Sequence, residues 1–115
     1  MEECVFCKIA KGEIKNKKTY ENDNFFSVPD VKPQAPGHSL IISKKHFTTT
    51  LDLPNSLGSS FLDCVKNTAL KVMKENNAEG FNLHNNNFGV AGQFVNHFHM
   101  HLVPRKKGDN FKPCL

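Results

Sequence analysis

Apolar residues recur along this chain with two different periods, and the change from one to the other marks its elements. Across residues 56–76, Leu57, Phe61, Leu62, Cys64, Val65, Ala69, Leu70, Val72 and Met73 fall mostly at three- and four-residue steps. That spacing gathers side chains on one face of an α-helix. At about 100° per residue the apolar positions cover roughly half the circumference, wider than packing on a single sheet requires. A second partner for this helix, such as another subunit, is implied.

The other segments read as extended. Residues 19–21 and 25–28 flank the polar turn Asn22-Asp23-Asn24 and predict a hairpin. Residues 39–43 and 80–83 predict two further strands, and 97–103 a last one in which His97, His99 and His101 alternate with Phe98, Met100 and Leu102. Alternation at period two places the imidazoles on one face and the core residues on the other. Residues 4–10 predict a short helix closed by Lys11-Gly12. Pro29, Pro33, Pro36 and Gly37 exclude a helix or a central strand from 29–37, while the polar run 84–87 and residues 88–92 form a loop before the last strand. Helix, hairpin, strand, long helix, strand, strand, without repeats, describes an α+β domain.

Composition narrows this picture. A chain of 115 residues with 38% hydrophobic content suits one compact domain. No apolar run approaches the roughly 20 residues of a membrane span, and Glu2, Glu3, Lys8, Lys11 and Glu13 interrupt any export signal. The expected location is intracellular, in the cytoplasm and with the nucleus left open. A net charge of +4 spread over short runs such as Lys44-Lys45 and Arg105-Lys106-Lys107 suits a small anionic ligand and argues against a nucleic-acid stripe.

The candidate chemistry lies in the histidine row. Imidazole, with an unperturbed pKa of about 6.5, serves as nucleophile, base, acid or ligand near neutral pH. The row suits attack on phosphorus, with neighbouring rings orienting and donating, and equally suits a metal held by two or three rings. Of the four cysteines, Cys64 sits in the helical pattern and Cys114 in the tail. Cys4 and Cys7 make a C-x-x-C pair, half of a tetrahedral zinc site, for which His46 and one histidine of the row are candidate partners.

The phrase Ala91-Gly92-Gln93-x-Val95-x-His97-x-His99-x-His101-Leu102-Val103-Pro104-Arg105 resembles the signature of the histidine triad (HIT) family. The likeness continues through Cys4-Val5-Phe6-Cys7-Lys8-Ile9, Gly12-Glu13-Ile14, Asp30-Val31-Lys32-Pro33-Gln34-Ala35-Pro36-Gly37-His38 and Lys44-Lys45-His46. Within that family the chain looks most like the histidine triad nucleotide-binding branch. The resemblance implies a five-stranded antiparallel sheet with one short and one long helix, a single domain over residues 1–107, and a tail 108–115 without an assignable pattern.

It also implies cleavage of adenosine 5′-phosphoramidates or related purine nucleotide conjugates. His99 would be the nucleophile that forms a nucleotidyl intermediate, with His97 supporting its orientation and His101 contacting the phosphate. Asp30 would accept from the ribose hydroxyls. Phe6, Ile9, Ile14, Val28 and Val31 would wall the base, while Asn86, Gly92 and Gln93 surround the α-phosphate. A structural zinc ion on Cys4, Cys7, His46 and His97, and a homodimer joined through the long helix and an adjacent strand, follow from the same likeness. Dinucleoside polyphosphate hydrolysis, or a purine-nucleotide scaffold with little turnover, are the neighbouring readings. Two positions depart from the family pattern: Phe94 replaces the usual Ser, Thr or Glu, and Phe88 replaces a common glycine.

Overall fold

The computed structural model describes residues 4–113. Cys114 lies outside them. Two helices and five strands follow in the order α1 (Val5–Ala10), β1 (Tyr20–Glu21), β2 (Phe25–Pro29), β3 (Ser39–Ser43), α2 (Gly58–Asn76), β4 (Gly80–His84) and β5 (His99–Arg105). Every pairing is antiparallel, with spatial order β1-β2-β3-β5-β4. The α+β sheet expected from the sequence is present, with one short and one long helix.

The pleat sorts side chains onto the two faces of the sheet. On one face Phe25, Ile41 and Leu102, joined by Phe98, pack against Cys64, Val65, Ala69 and Val72 of α2. The other carries Phe26, Val28 and Ile42 against Phe6 and Ile9 of α1. Because Leu40 pairs with His101 and Ile42 with His99, those two histidines stand on the α1 face. The long helix therefore holds the sheet from behind, and the short one borders the site.

Three elements differ from the periodicity reading. The 3-10 turn Asn55–Leu57 precedes α2, because one turn of helical pattern does not separate three residues per turn from 3.6. Pro29 closes β2 at the sheet margin opposite Ser39. More consequentially, β5 begins at His99 and leaves His97 in a bend. Beyond the Ile42–His99 pair the ladder weakens to a 3.5 Å bond from Ser43 N–H to the Phe98 carbonyl, while Phe98 N–H turns to the Phe47 carbonyl at 2.6 Å and His97 N–H to the Val95 carbonyl at 2.8 Å. Among the described residues no helix is long and apolar enough to cross a membrane.

Candidate active site and metal-type cluster

The three histidines divide between two sites. His97, fully buried, is turned toward the N-terminal helix, whereas His99 and His101 face a cavity of about 700 Å³. Phe6 sets that division: its ring meets His97 edge-on at 5.7 Å and His99 at 5.0 Å.

Hydrogen bonds assign each ring its proton. His99 Nδ1 lies 2.8 Å from the His97 carbonyl, so Nδ1–H donates there and the Nε2 lone pair is left for the cavity. His38 Nδ1 accepts from Gln34 N–H at 3.0 Å, which puts the His38 proton on Nε2. That proton donates to His101 Nδ1 at 2.9 Å, leaving His101 with an Nε2–H as a donor on its cavity side. A lone pair and a donor thus stand side by side, with ring centroids 5.5 Å apart.

Asp30 completes this chain. Its Oδ2 lies 3.3 Å from His38 Nε2 and 3.7 Å from His101 Nδ1, and its Oδ1 accepts from Lys32 N–H at 2.8 Å. Burial, followed by the positive charge of neighbouring histidines, pushes His101 down to about 4. Burial likewise lowers His38. Both rings are neutral at pH 7, so the His38 Nε2–H, shared between His101 Nδ1 and Asp30 Oδ2, is the hydrogen-bond donor of the trio, and the 3.7 Å approach of His101 Nδ1 to Asp30 is not an ion pair. Asp30, His38 and His101 also gather metal-type donors. A proton on His38 Nε2 removes the lone pair a metal needs, and the trio is held together by that one donor facing two acceptors.

Cys4, Cys7, His46 and His97 are different. Their ligand atoms all lie within 4.8 Å of one another, with Cys4 Sγ 3.2 Å and Cys7 Sγ 3.5 Å from His97 Nδ1, and Cys7 Sγ 3.2 Å from His46 Nδ1. Zinc bonds of about 2.3 Å to sulfur and about 2.0 Å to nitrogen, at tetrahedral angles, require S···N separations of about 3.6 Å. The donor set fits. His97 Nε2–H donates to the Ser43 carbonyl at 2.7 Å, which fixes Nδ1 as the ligand nitrogen. Burial and then the adjacent Cys4 sulfur raise the Cys7 thiol, an effect a bound cation reverses. Cys64 belongs to the core, where burial pushes its thiol up to about 11.

The other anticipated residues fall into four groups. Phe6, Asn86 and Gly92 line the cavity with His99 and His101. Ile9 and Val28 lie buried beneath its α1 side. Val31, next to Asp30, is 89% exposed, and Ile14 lines an open groove with Gly12 and Lys15. Gln93 is engaged elsewhere: its Oε1 accepts from Phe88 N–H at 2.7 Å and its Nε2 donates to the Thr48 carbonyl at 2.6 Å. It braces the loop that presents Gly92.

Some supporting residues escape a reading by pattern. Asn85 Nδ2 donates to the His99 carbonyl at 2.9 Å, while Asn85 Oδ1 accepts from the Thr50 hydroxyl and Asn87 Oδ1 from Thr50 N–H at 2.8 Å. The asparagine run thereby ties the segment before α2 to the backbone of the catalytic candidate. Its density of side-chain amides was the signal available.

A sheet that presents a lone-pair imidazole beside a donor imidazole, with a Cys/His cluster at its end, defines a histidine-centred α+β domain. The chain belongs to the HIT domain family, which matches it over residues 11–108. It is 43% identical over 108 residues to adenosine 5′-monophosphoramidase HNT1 of Candida albicans, covering 90% of this chain and 70% of that protein. Its structure resembles SMU.412c of Streptococcus mutans UA159 with a TM-score of 0.91 and 35% identity, over 100% of this chain and 73% of that one. A zinc-bound histidine triad family protein of Mycobacterium smegmatis matches at TM-score 0.84 and 33% identity, over 96% of this chain and 80% of that one.

Proposed function

We propose that this protein is a nucleotide hydrolase that cleaves adenosine 5′-phosphoramidates or related purine nucleotide conjugates through a nucleotidyl-His99 intermediate. The observation that carries the reading is the His99 Nδ1–H bond to the His97 carbonyl, which directs the Nε2 lone pair into the cavity. The likeness to a named adenosine 5′-monophosphoramidase supports the substrate class.

In the first step His99 Nε2 forms a bond to the α-phosphorus as the bond from phosphorus to nitrogen breaks. The departing nitrogen takes a proton from solvent as its bond to phosphorus breaks and leaves as a neutral amine. The imidazolium thus formed keeps its Nδ1–H on the His97 carbonyl, and His101 Nε2–H donates to phosphoryl oxygen as negative charge builds. Water then attacks phosphorus, the Nε2–P bond breaks, the surplus proton passes to solvent, and His99 returns to its neutral form.

Asp30 has carboxylate lone pairs beyond the Lys32 contact with which to accept from ribose hydroxyls. Phe6, Ile9, Ile14, Val28 and Val31 supply apolar surface for the base; Asn86 and Gly92 face the α-phosphate, with Gln93 behind them. The Cys4, Cys7, His46 and His97 cluster would hold a closed, structural zinc ion that ties α1 to the bend before β5. We assign the compact domain to residues 1–107, and a homodimer through the partly exposed Leu62 and Leu70 of α2 and the Phe81 and Leu83 side chains of edge strand β4. A cytoplasmic location accords with such a substrate.

The test is trapping. Brief incubation with a labelled adenosine phosphoramidate, acid-free quenching and peptide mapping should place nucleotidyl label on His99, and His99→Ala should abolish it while nucleotide binding persists. Label on His97 or His101 in the wild type would overturn the assignment.

A further inference from the structure

A third imidazole lines the cavity beside His99 and His101. His84 of β4 pairs directly with His101 of β5, and residues opposite one another across an antiparallel pair project from the same side of the sheet. The two rings accordingly lie with centroids 6.2 Å apart and planes at 61°. Period two carries Asn82 to that same side and turns Phe81 and Leu83, assigned to the dimer contact, to the other. His101 is half-buried, whereas His84 is exposed and open to exchange of protons with water.

A bond from phosphorus to an alkyl nitrogen does not break unless the nitrogen receives a proton, because an amide anion is too basic to depart. The catalytic pair is occupied with other tasks. His99 Nε2 holds the lone pair that attacks, and the His101 Nε2–H serves phosphoryl oxygen. Burial above all pushes His101 down to about 4, so that ring does not hold a second proton. Phe94, 96% exposed at the cavity edge, has no proton to offer.

The charged side chains lining the cavity are Arg105 and Lys112, with no carboxylate among them. A guanidinium does not release its proton, and Arg105 is in any case engaged, its Nε donating to Asn82 Oδ1 at 3.0 Å and its guanidinium 4.3 Å from the Phe111 ring of the tail. Arg105 stands four residues past His101, about 13 Å along the strand, and Lys112 follows Phe111 at that same end. His84 is the proton-exchanging group that remains next to the phosphoryl position.

We propose that His84 is the general acid–base of the reaction, giving a proton to the departing nitrogen and then taking one from the attacking water. The assignment rests on the hydrolase reading and specifies the group through which protons pass between solvent and substrate. In the first step the bond from His99 Nε2 to phosphorus forms and the bond to nitrogen breaks. Its electron pair takes the proton of the His84 imidazolium, and the amine leaves neutral. In the second, the water oxygen bonds to phosphorus and gives a proton to neutral His84, while the Nε2–P bond breaks and returns its pair to His99. His84 is then an imidazolium again. Phosphoryl transfer sets the attacking and leaving atoms on opposite sides of phosphorus, and His84 reaches the site from β4 while His99 attacks from β5.

Two substrates sharing the adenosine 5′-phosphoryl group test this: a phosphoramidate of a primary alkylamine, whose nitrogen needs a proton, and the 4-nitrophenyl ester, whose phenolate leaves without one. Their kcat/KM values report cleavage of that bond and not the later hydrolysis. His84→Asn should lower kcat/KM for the phosphoramidate about a hundredfold or more and leave that of the ester within about threefold. A merely structural role, such as holding the His101 ring, would lower both, because His101 serves phosphoryl oxygen in each. Added imidazole should restore phosphoramidate cleavage by His84→Ala, whose vacated position is open to solvent, and leave ester cleavage unchanged. Both variants should melt with the wild type.

Equal losses on the two substrates, no loss on either, or a phosphoramidate defect that imidazole does not relieve overturns the assignment and leaves the hydrolase reading standing. If the wild type cleaves neither substrate, the hydrolase reading fails and the role of His84 falls with it.

Discussion

Phe88 holds φ 74° and ψ 153°, a region of backbone space that is essentially glycine-only. Its neighbours overdetermine it: Phe88 N–H donates to Gln93 Oε1 at 2.7 Å, and its carbonyl accepts from Ala91 N–H at 3.0 Å and Gln93 N–H at 3.1 Å. The ring is 53% exposed, so packing compensates only in part. Such a residue stores about 1–3 kcal/mol of strain. Replacing it with glycine releases the strain but also removes the ring's partial burial, worth about 1 kcal/mol, and loosens the unfolded chain by about 0.5–1 kcal/mol.

Those opposing terms nearly cancel, so Phe88→Gly measured alone decides little. Phe88→Ala is the informative partner, because alanine loses the ring and keeps the strain. The difference between the two variants is strain minus backbone entropy, about 0.5–2 kcal/mol in favour of glycine. For a domain of this size that is about 2–8 °C in Tm. Urea and thermal melts of both proteins measure it. Equal stabilities for the glycine and alanine variants would refute the claim that this turn is strained, and with it the reason for expecting glycine here.

Three further outcomes are expected. Phe94 is 96% exposed at the cavity edge, so Phe94→Ser should leave Tm nearly unchanged while adding a hydroxyl that speeds a poor alkylamine leaving group about tenfold or more over a good aryl one; equal effects on both substrates would end that argument. The folded His101, pushed down to about 4 chiefly by burial, binds no proton where an unfolded histidine, titrating near 6.5, does. Stability present above about pH 6.5 should therefore be lost as pH falls toward about 4, and His101→Asn should flatten the slope across that window; an unchanged slope in denaturant melts would refute the assignment. Protein prepared without chelators should contain about one zinc per chain, and chelation or Cys4→Ser with Cys7→Ser should lower Tm; a metal-free preparation with both thiols reactive would exclude the closed site.

Local patterns were legible because they depend only on neighbours in sequence. Period two in His99–Arg105 placed His99 and His101 on one face and Met100 and Leu102 on the other, and three- to four-residue spacing found α2. The C-x-x-C pair and the histidine row were visible for the same reason. What pattern could not supply is the position of a partner far along the chain. His97 shares the alternation yet leaves the strand, because its place is set by the departing end of β3 and by Cys4, 93 residues away. The protonation of His101 depends on His38, 63 residues distant, and that of His38 on the Gln34 amide. The sequence alone determined which imidazoles and thiols are spaced to act together and which faces are buried, since side-chain periodicity follows from backbone geometry. Tertiary structure decided which nitrogen holds each proton and where the tail comes to rest, since a hydrogen bond is settled by the few ångströms between atoms that folding brings together.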